Sequence, residues 1–80
     1  MNDRQIHEHI ESLVEQEHRL LEHGESGTLT DDDRARLDAI SVRLDQYWDL
    51  LRQRRARRDA GQDPKIAELR REEIVEHYRQ

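Results

Sequence analysis

The chain has 80 residues, of which 32% are hydrophobic and 41% are charged, and its net charge is -5 with no cysteine. A single domain with this length and composition buries little apolar surface, so its fold usually needs a disulfide, a metal or an oligomeric partner. Without cysteine, disulfides and thiolate metal sites are excluded, which leaves oligomerisation as the leading way to stabilise the fold. Since no apolar run has the length of a membrane span and no signal-peptide core follows Met1, we expect a cytoplasmic protein outside the membrane.

The first predicted helix runs from about residue 3 to residue 23. Asn2 and Gln5 have the spacing of an N-terminal capping box, and Gly24 suits a left-handed C-cap. Apolar residues recur on one face of this helix: Ile6, Ile10, Leu13, Val14, Leu20 and Leu21.

The second predicted helix runs from about residue 31 to residue 60, after a short polar loop. Thr30 is a strong N-cap, and three aspartates follow it in the first turn, where the helix dipole favours negative charge. Gly61 ends the helix. Apolar residues at spacings of three and four form a seam along this helix: Leu37, Ile40, Leu44, Tyr47 and Leu51.

A third, weaker helical segment is predicted over residues 64–78. Asp63 is placed to cap it and Pro64 to occupy its first position. We expect this segment to be bent or divided near residues 70–72. Its apolar positions are Ile66, Leu69, Ile74, Val75 and Tyr78. The chain is therefore predicted to be one all-α domain, with a helical hairpin (1–61) and a C-terminal helical extension (62–80).

The apolar surface of the hairpin is wider than two helices can bury against each other. Antiparallel folding places Leu13 near Leu44 in the seam. Trp48 and Leu50 lie on either side of the seam, so the first helix does not cover them. We expect the hairpin to dimerise into an antiparallel four-helix bundle. The alternative is that the C-terminal segment covers Trp48 and Leu50. The expected interface consists of Val14, Leu21, Leu44, Tyr47, Trp48, Leu50 and Leu51.

Five arginines lie within seven residues at the end of the second helix: Arg52, Arg54, Arg55, Arg57 and Arg58. Such a cluster can bind nucleic-acid phosphates or an acidic protein surface. However, no aromatic residue lies within the cluster, and the first 33 residues carry ten acidic side chains against two arginines. The arginines can instead pair inside the chain, with Asp3, Glu8 or the acidic residues of 68–76.

The sequence offers little for catalysis or metal binding. Glu15 and His18 have the spacing used in di-iron helical bundles, but they lie opposite the apolar face and lack further carboxylates facing them. Glu17, which lies among the leucines of the seam, is expected to pair with a basic residue or to set the register. No nucleophile with a base and no glycine-rich phosphate loop occurs, so we expect neither an enzyme nor a cofactor. Metal binding or a pH response through the histidines of the first helix is the weakest hypothesis.

The run from Tyr47 to Arg58, YWDLLRQRRARR, followed by Gly61 to Pro64, resembles the small actinobacterial proteins grouped as domain-of-unknown-function family 2630. The likeness spans nearly the whole chain. Because the family carries no established activity, the resemblance implies a size and a source but no site. The favoured interpretation is a non-catalytic homodimeric interaction protein, and the alternative is a nucleic-acid-associated factor that uses the arginine cluster.

Overall fold

The structure, a computed structural model, describes residues 1–25 and 27–77, except for the side chains of Glu25 and His77. Its elements are helix α1 (Asp3–Glu25), helix α2 (Asp31–Asp59), a 3-10 turn (Pro64–Ile66) and helix α3 (Glu72–His77). Within these ranges there is no β-strand, so the predicted all-α hairpin with a short C-terminal helix is confirmed. Tyr78, which the sequence assigns to the last segment, lies outside the described residues.

Helix α1 begins as the sequence predicts but ends differently. The Asn2 backbone N–H donates to Gln5 Oε1 at 2.9 Å, and the Gln5 N–H donates to Asn2 Oδ1 at 2.8 Å, which completes the capping box. The predicted left-handed cap at Gly24 is wrong, because this glycine lies inside the helix and has no positive φ. Its role is steric: a Cβ atom at Gly24 would lie 2.8 Å from the Leu29 side chain, so the loop can pack closely only on a glycine.

Helix α2 begins at a second capping box. The Asp33 N–H donates to the Thr30 hydroxyl at 3.0 Å, and the Thr30 N–H donates to Asp33 Oδ2 at 3.2 Å. The hydrogen bond that the Thr30 N–H donates to the Asp33 carboxylate lowers the pKa of this carboxyl below its usual range, and the Thr30 side chain lowers it further. Thr30 therefore fixes where the loop stops and the long helix starts.

Gly61, which has a φ of 72°, terminates helix α2 two residues after its last residue, Asp59. The Gly61 N–H donates to the Arg58 carbonyl at 3.0 Å, and the Gln62 N–H donates to the Arg57 carbonyl at 2.7 Å. This pair of bonds is a Schellman motif, and the left-handed residue that it requires is the glycine. The predicted end of the helix is confirmed to within one residue.

The core lies between α1 and α2, toward the N-terminal end of α1. Four side chains form its buried centre, with exposed fractions of 6% or less: Ile6, Ile10, Tyr47 and Leu50. Around them pack the partly buried Leu13, Val14, Leu44, Leu51 and Ala67. Leu13 and Leu44 are thus in the same cluster, as the predicted antiparallel register requires. The His9 ring also stacks on Tyr47, with ring centroids 5.2 Å apart and planes 5° from parallel.

The C-terminal segment packs along α2 and is divided as predicted, with residues 67–71 non-helical between the 3-10 turn and α3. Side-chain amides of α2 hold this stretch: Gln53 Nε2 donates to the Glu68 carbonyl at 2.7 Å and Gln46 Nε2 to the Arg70 carbonyl at 3.2 Å. Val75 anchors α3, since it is only 2% exposed. We call the surface of α2 that these contacts occupy the covered side.

Candidate interaction surface on helices α1 and α2

An apolar surface of the hairpin stays uncovered by the C-terminal segment. Trp48 is 44% exposed and Leu21 is 47% exposed, although both belong to the long helices that form the core. On α1 the surface follows a seven-residue spacing, which keeps side chains on one helix face. We call this surface the Trp48 face, and its members are His7, Val14, Leu21, Leu44, Trp48 and Leu51.

His7 and Trp48 meet across the two helices at one end of the Trp48 face. Their rings are in an edge-to-face arrangement, with centroids 6.5 Å apart and planes 78° apart. Beside them lies a shallow cavity of about 270 Å³. Its lining residues are Asp3, His7, Trp48, Leu51, Arg52, Arg55 and Arg58. No aromatic residue lies within the arginine cluster in the sequence. However, Trp48 lies four residues before Arg52 and seven before Arg55, so all three side chains are on the same face of α2.

Two arginines of the cluster pair with Asp3 within the chain, as one of the sequence interpretations predicts. Arg54 is 5% exposed, and its Nε donates to Asp3 Oδ1 at 2.5 Å. Its Nη1 donates to the carbonyls of Met1 at 3.1 Å and Pro64 at 3.2 Å. Arg58 Nη2 donates to Asp3 Oδ2 at 2.7 Å. Arg54 therefore joins both ends of the fold to α2, and we call this group of bonds the Arg54 clasp.

The Arg54 clasp lowers the pKa of the Asp3 carboxyl. The hydrogen bond from Arg54 is the largest cause, burial opposes it by raising the pKa, and the hydrogen bond from Arg58 lowers the pKa further. Glu8, the other predicted partner near the N-terminus, instead pairs with Arg4 one turn earlier, at 3.3 Å.

The other arginines of the cluster lie outside the Arg54 clasp. Arg57 is half-buried and donates to Gln62 Oε1 at 2.9 Å, just beyond the end of α2. The remaining two are Arg52 and Arg55. Within the described residues, these two guanidinium groups are both exposed and outside any ion pair.

The seven residues predicted for a dimer interface lie in three environments. Tyr47 and Leu50 are buried in the core of one chain, where Ala67 of the C-terminal segment also packs. Val14, Leu44 and Leu51 are half-buried, whereas Leu21 and Trp48 are exposed. The C-terminal segment thus covers Leu50 but leaves much of Trp48 in solvent. As a dimer interface, the set stays a prediction.

The candidate chemical groups of α1 have other contacts. Glu15 forms an exposed ion pair with Arg19, four residues later, at 2.6 Å. No cluster of three or more histidine, aspartate or glutamate side chains within residues 1–25 and 27–77 has an arrangement that could hold a metal ion. Glu17 is half-buried in the seam, as its position predicts. In the same part of the chain, no helix is both long enough and apolar enough to cross a membrane.

The fold and this surface define a small all-α protein, in which a helical hairpin carries its own C-terminal cover on one side of α2 and an exposed tryptophan on another. The chain belongs to the DUF2630 family, described as proteins of unknown function, over residues 2–80. An uncharacterised protein of Mycobacterium tuberculosis and one of Mycobacterium bovis are each 45% identical to it over 73 residues. That alignment covers 88% of this chain and 82% of each relative. No solved structure matches.

Proposed function

We propose that this protein is a non-catalytic helical interaction protein that acts as a homodimer, in which the Trp48 faces of two copies meet to form a four-helix bundle. The observation that carries this proposal is the 44% exposure of Trp48 in the middle of α2, in line with Leu44 and Leu51. A tryptophan between two partly covered leucines makes a continuous apolar strip, which is typical of a surface that meets another protein.

A second helical hairpin fits this surface for a geometric reason. The Trp48 face takes side chains from two antiparallel helices, so it has the width of a helix pair rather than of one helix. Layers of two helices pack on each other in four-helix bundles, with the a/d-type positions of all four helices in the centre. A small chain with 32% hydrophobic residues also gains from a shared core.

Trp48→Glu tests the proposal, and Ile66→Glu is its matched control. Both positions are exposed and apolar, but Ile66 is 53% exposed on the 3-10 turn, away from the Trp48 face. We expect light scattering at tens of micromolar to give a dimer for the wild type and for Ile66→Glu. Trp48→Glu should be a monomer with unchanged helical content by circular dichroism, because an unpaired charge at the centre of an apolar interface is costly.

Each other result of this experiment has its own meaning. A monomeric wild type at these concentrations would contradict the proposal. A dimer that survives Trp48→Glu would show that the Trp48 face is not the interface. Equal loss of the dimer in both variants would mean that added negative charge alone, on a chain of net charge -5, causes dissociation.

A second candidate function is association with single-stranded nucleic acid. The observation in its favour is the cavity in which Trp48 and His7 lie beside Arg52 and Arg55, since aromatic rings and guanidinium groups together bind bases and phosphates. Asp3 in the same cavity and the net charge of -5 oppose it. We expect no binding of a labelled oligonucleotide at physiological salt. Salt-dependent binding that Arg52→Gln with Arg55→Gln removes would favour this candidate instead.

A further inference from the structure

The cavity beside His7 and Trp48, which we call the Trp48 cavity, has an aromatic and apolar wall. It has a volume of about 270 Å³ and lies between the first turns of α1 and the last third of α2. The wall consists of the edge-to-face pair of His7 and Trp48, with Leu51 next to it. Because Trp48 is 44% exposed, a flat ring from outside the chain can stack on it.

The rest of the lining of the Trp48 cavity is mainly cationic. Three guanidinium groups line it, from Arg52, Arg55 and Arg58, against the single carboxylate of Asp3. That carboxylate is already paired within the chain, since its Oδ1 accepts a hydrogen bond from Arg54 and its Oδ2 accepts one from Arg58. The charges of Arg52 and Arg55 are therefore left without a counter-charge in the cavity.

Arg52 and Arg55 are placed to bind one anionic group together. They are three residues apart on α2, a spacing that brings Cβ atoms to within about 5–6 Å of each other on a helix surface. Both side chains are exposed, and neither forms an ion pair within the described residues. A phosphate monoester carries a charge of about −1.5 to −2 at pH 7 and has three terminal oxygens, so it can accept hydrogen bonds from two guanidinium groups at once.

We propose that the Trp48 cavity binds a small aromatic phosphate monoester, whose ring stacks on Trp48 and whose phosphate accepts hydrogen bonds from Arg52 and Arg55. This site goes beyond the proposed self-association and does not depend on it. Ligand pockets usually begin at about 300 Å³, and the Trp48 cavity is near that lower limit. The ligand is therefore small, with one ring system and one phosphate.

A small ligand suits the Trp48 cavity better than a nucleic-acid strand. Proteins that bind single strands stack successive bases on several exposed rings along a continuous cationic groove. Here Tyr47 is buried, and Trp48 is the single tryptophan of the chain. A polyanion would also be repelled by the net charge of -5, whereas a single phosphate meets mainly the two nearby guanidinium groups.

Calorimetric titration of the full chain with phenyl phosphate tests for this site. We expect saturable binding of one molecule per chain with a Kd of about 1 mM or lower. Inorganic phosphate, which lacks the ring, and phenol, which lacks the charge, should each bind about tenfold more weakly, because each keeps only part of the contacts. Failure to saturate, or equal affinity for inorganic phosphate, would overturn the inference.

Trp48 also locates the binding site, because its emission is the only tryptophan fluorescence of the chain. Phenyl phosphate should change this emission with the midpoint that calorimetry gives. Trp48→Ala should reduce the affinity for phenyl phosphate to that for inorganic phosphate, since only the ring contact is lost. If Trp48→Ala bound phenyl phosphate as the wild type does, the ring would not contact Trp48 and the inference would be wrong.

A matched pair of double variants tests the phosphate contacts. Arg52→Gln with Arg55→Gln should weaken the binding of phenyl phosphate about tenfold or more. The control, Arg34→Gln with Arg36→Gln, removes the same charge from exposed positions near the other end of α2 and should bind as the wild type does. Circular dichroism checks that both variants keep their helices. Equal affinities of the two double variants would contradict the inference, because net charge and not the Trp48 cavity would then determine binding.

The results separate this site from the proposed self-association. A wild type that is monomeric but binds phenyl phosphate with the expected response to the variants contradicts the homodimer and supports the site. A dimer that Trp48→Glu dissociates, but which does not bind phenyl phosphate, supports the homodimer and contradicts the site.

Discussion

The covered side of α2 and the Trp48 face differ in what they offer to a neighbour. The covered side presents side-chain amides, and Gln46 and Gln53 use them to bind carbonyls of the non-helical residues 67–71. An irregular backbone needs such donors, because its own polar groups lack helical partners. The Trp48 face is mainly apolar and presents few hydrogen-bond donors along its length. It therefore suits another helix, whose backbone is already satisfied, and the difference explains why the chain covers one surface and leaves the other.

Removal of the Arg54 clasp should change the covered side more than any other substitution, because the clasp holds the C-terminal segment to α2. We expect Arg54→Ala to lower the free energy of unfolding by about 3 kcal/mol, because it removes a buried side chain and leaves two backbone carbonyls and Asp3 Oδ1 without their donor. Its neighbour Arg55 is exposed, so Arg55→Ala should change stability by less than about 0.5 kcal/mol. Urea denaturation at one fixed protein concentration measures both. Equal effects would show that the Arg54 contacts are not needed for the fold.

A smaller effect is expected from the anchor of α3 on the covered side. Val75→Ala should cost about 1–2 kcal/mol, because two buried methyl groups are lost and a small cavity remains. Ile74→Ala is the matched control: Ile74 is 38% exposed, and its truncation should cost a few tenths of a kcal/mol. Thermal unfolding of the two variants makes the comparison. If Ile74→Ala were the more damaging, α3 would be rotated relative to the structure.

The smallest effect concerns the charge of Asp3 in the Arg54 clasp. Its pKa is lowered in the folded chain, so its contribution to stability is complete above the ordinary value of 3.8 and is lost as the pH falls through the folded pKa. We expect Asp3→Asn to destabilise the protein at pH 7 and to differ less from the wild type below about pH 4. Unfolding curves between pH 2 and pH 7 test this, with the exposed Glu11→Gln as a control that should change the wild-type curve little. A constant difference over the whole range would contradict it.

The sequence predicts the helices and their ends because those features depend on neighbouring residues. Asn2, Thr30 and Gly61 each act on a backbone group within a few positions, so their spacing alone identifies them. The register of the hairpin also follows from the sequence, since a short loop leaves few ways to align two apolar faces.

The roles of Gly24, Arg54 and His7 depend on contacts with residues of other elements, which no local sequence pattern indicates. Gly24 looks like a helix cap until Leu29 is seen against it, and that contact depends on how the loop folds. The spacing of the seam continues from Leu51 to Arg54, but it does not indicate that Asp3 and Pro64 bind this arginine. The spacing of seven residues between His7 and Val14 indicates that both lie on one face of α1. It does not indicate the contact with Trp48, which lies on the other helix.

Helix α3 has consequences for the order in which the molecule opens. Six residues are too few for a helix to persist alone in water, so α3 exists only while Val75 is seated on α2. Its backbone amides should accordingly exchange their hydrogens through a local opening of small free energy, whereas those of α1 and α2 around Ile10 and Tyr47 exchange only when the hairpin itself unfolds. The chain thus has two levels of stability within one small fold. The lower level can open and close while the hairpin, and any assembly built on it, stays intact.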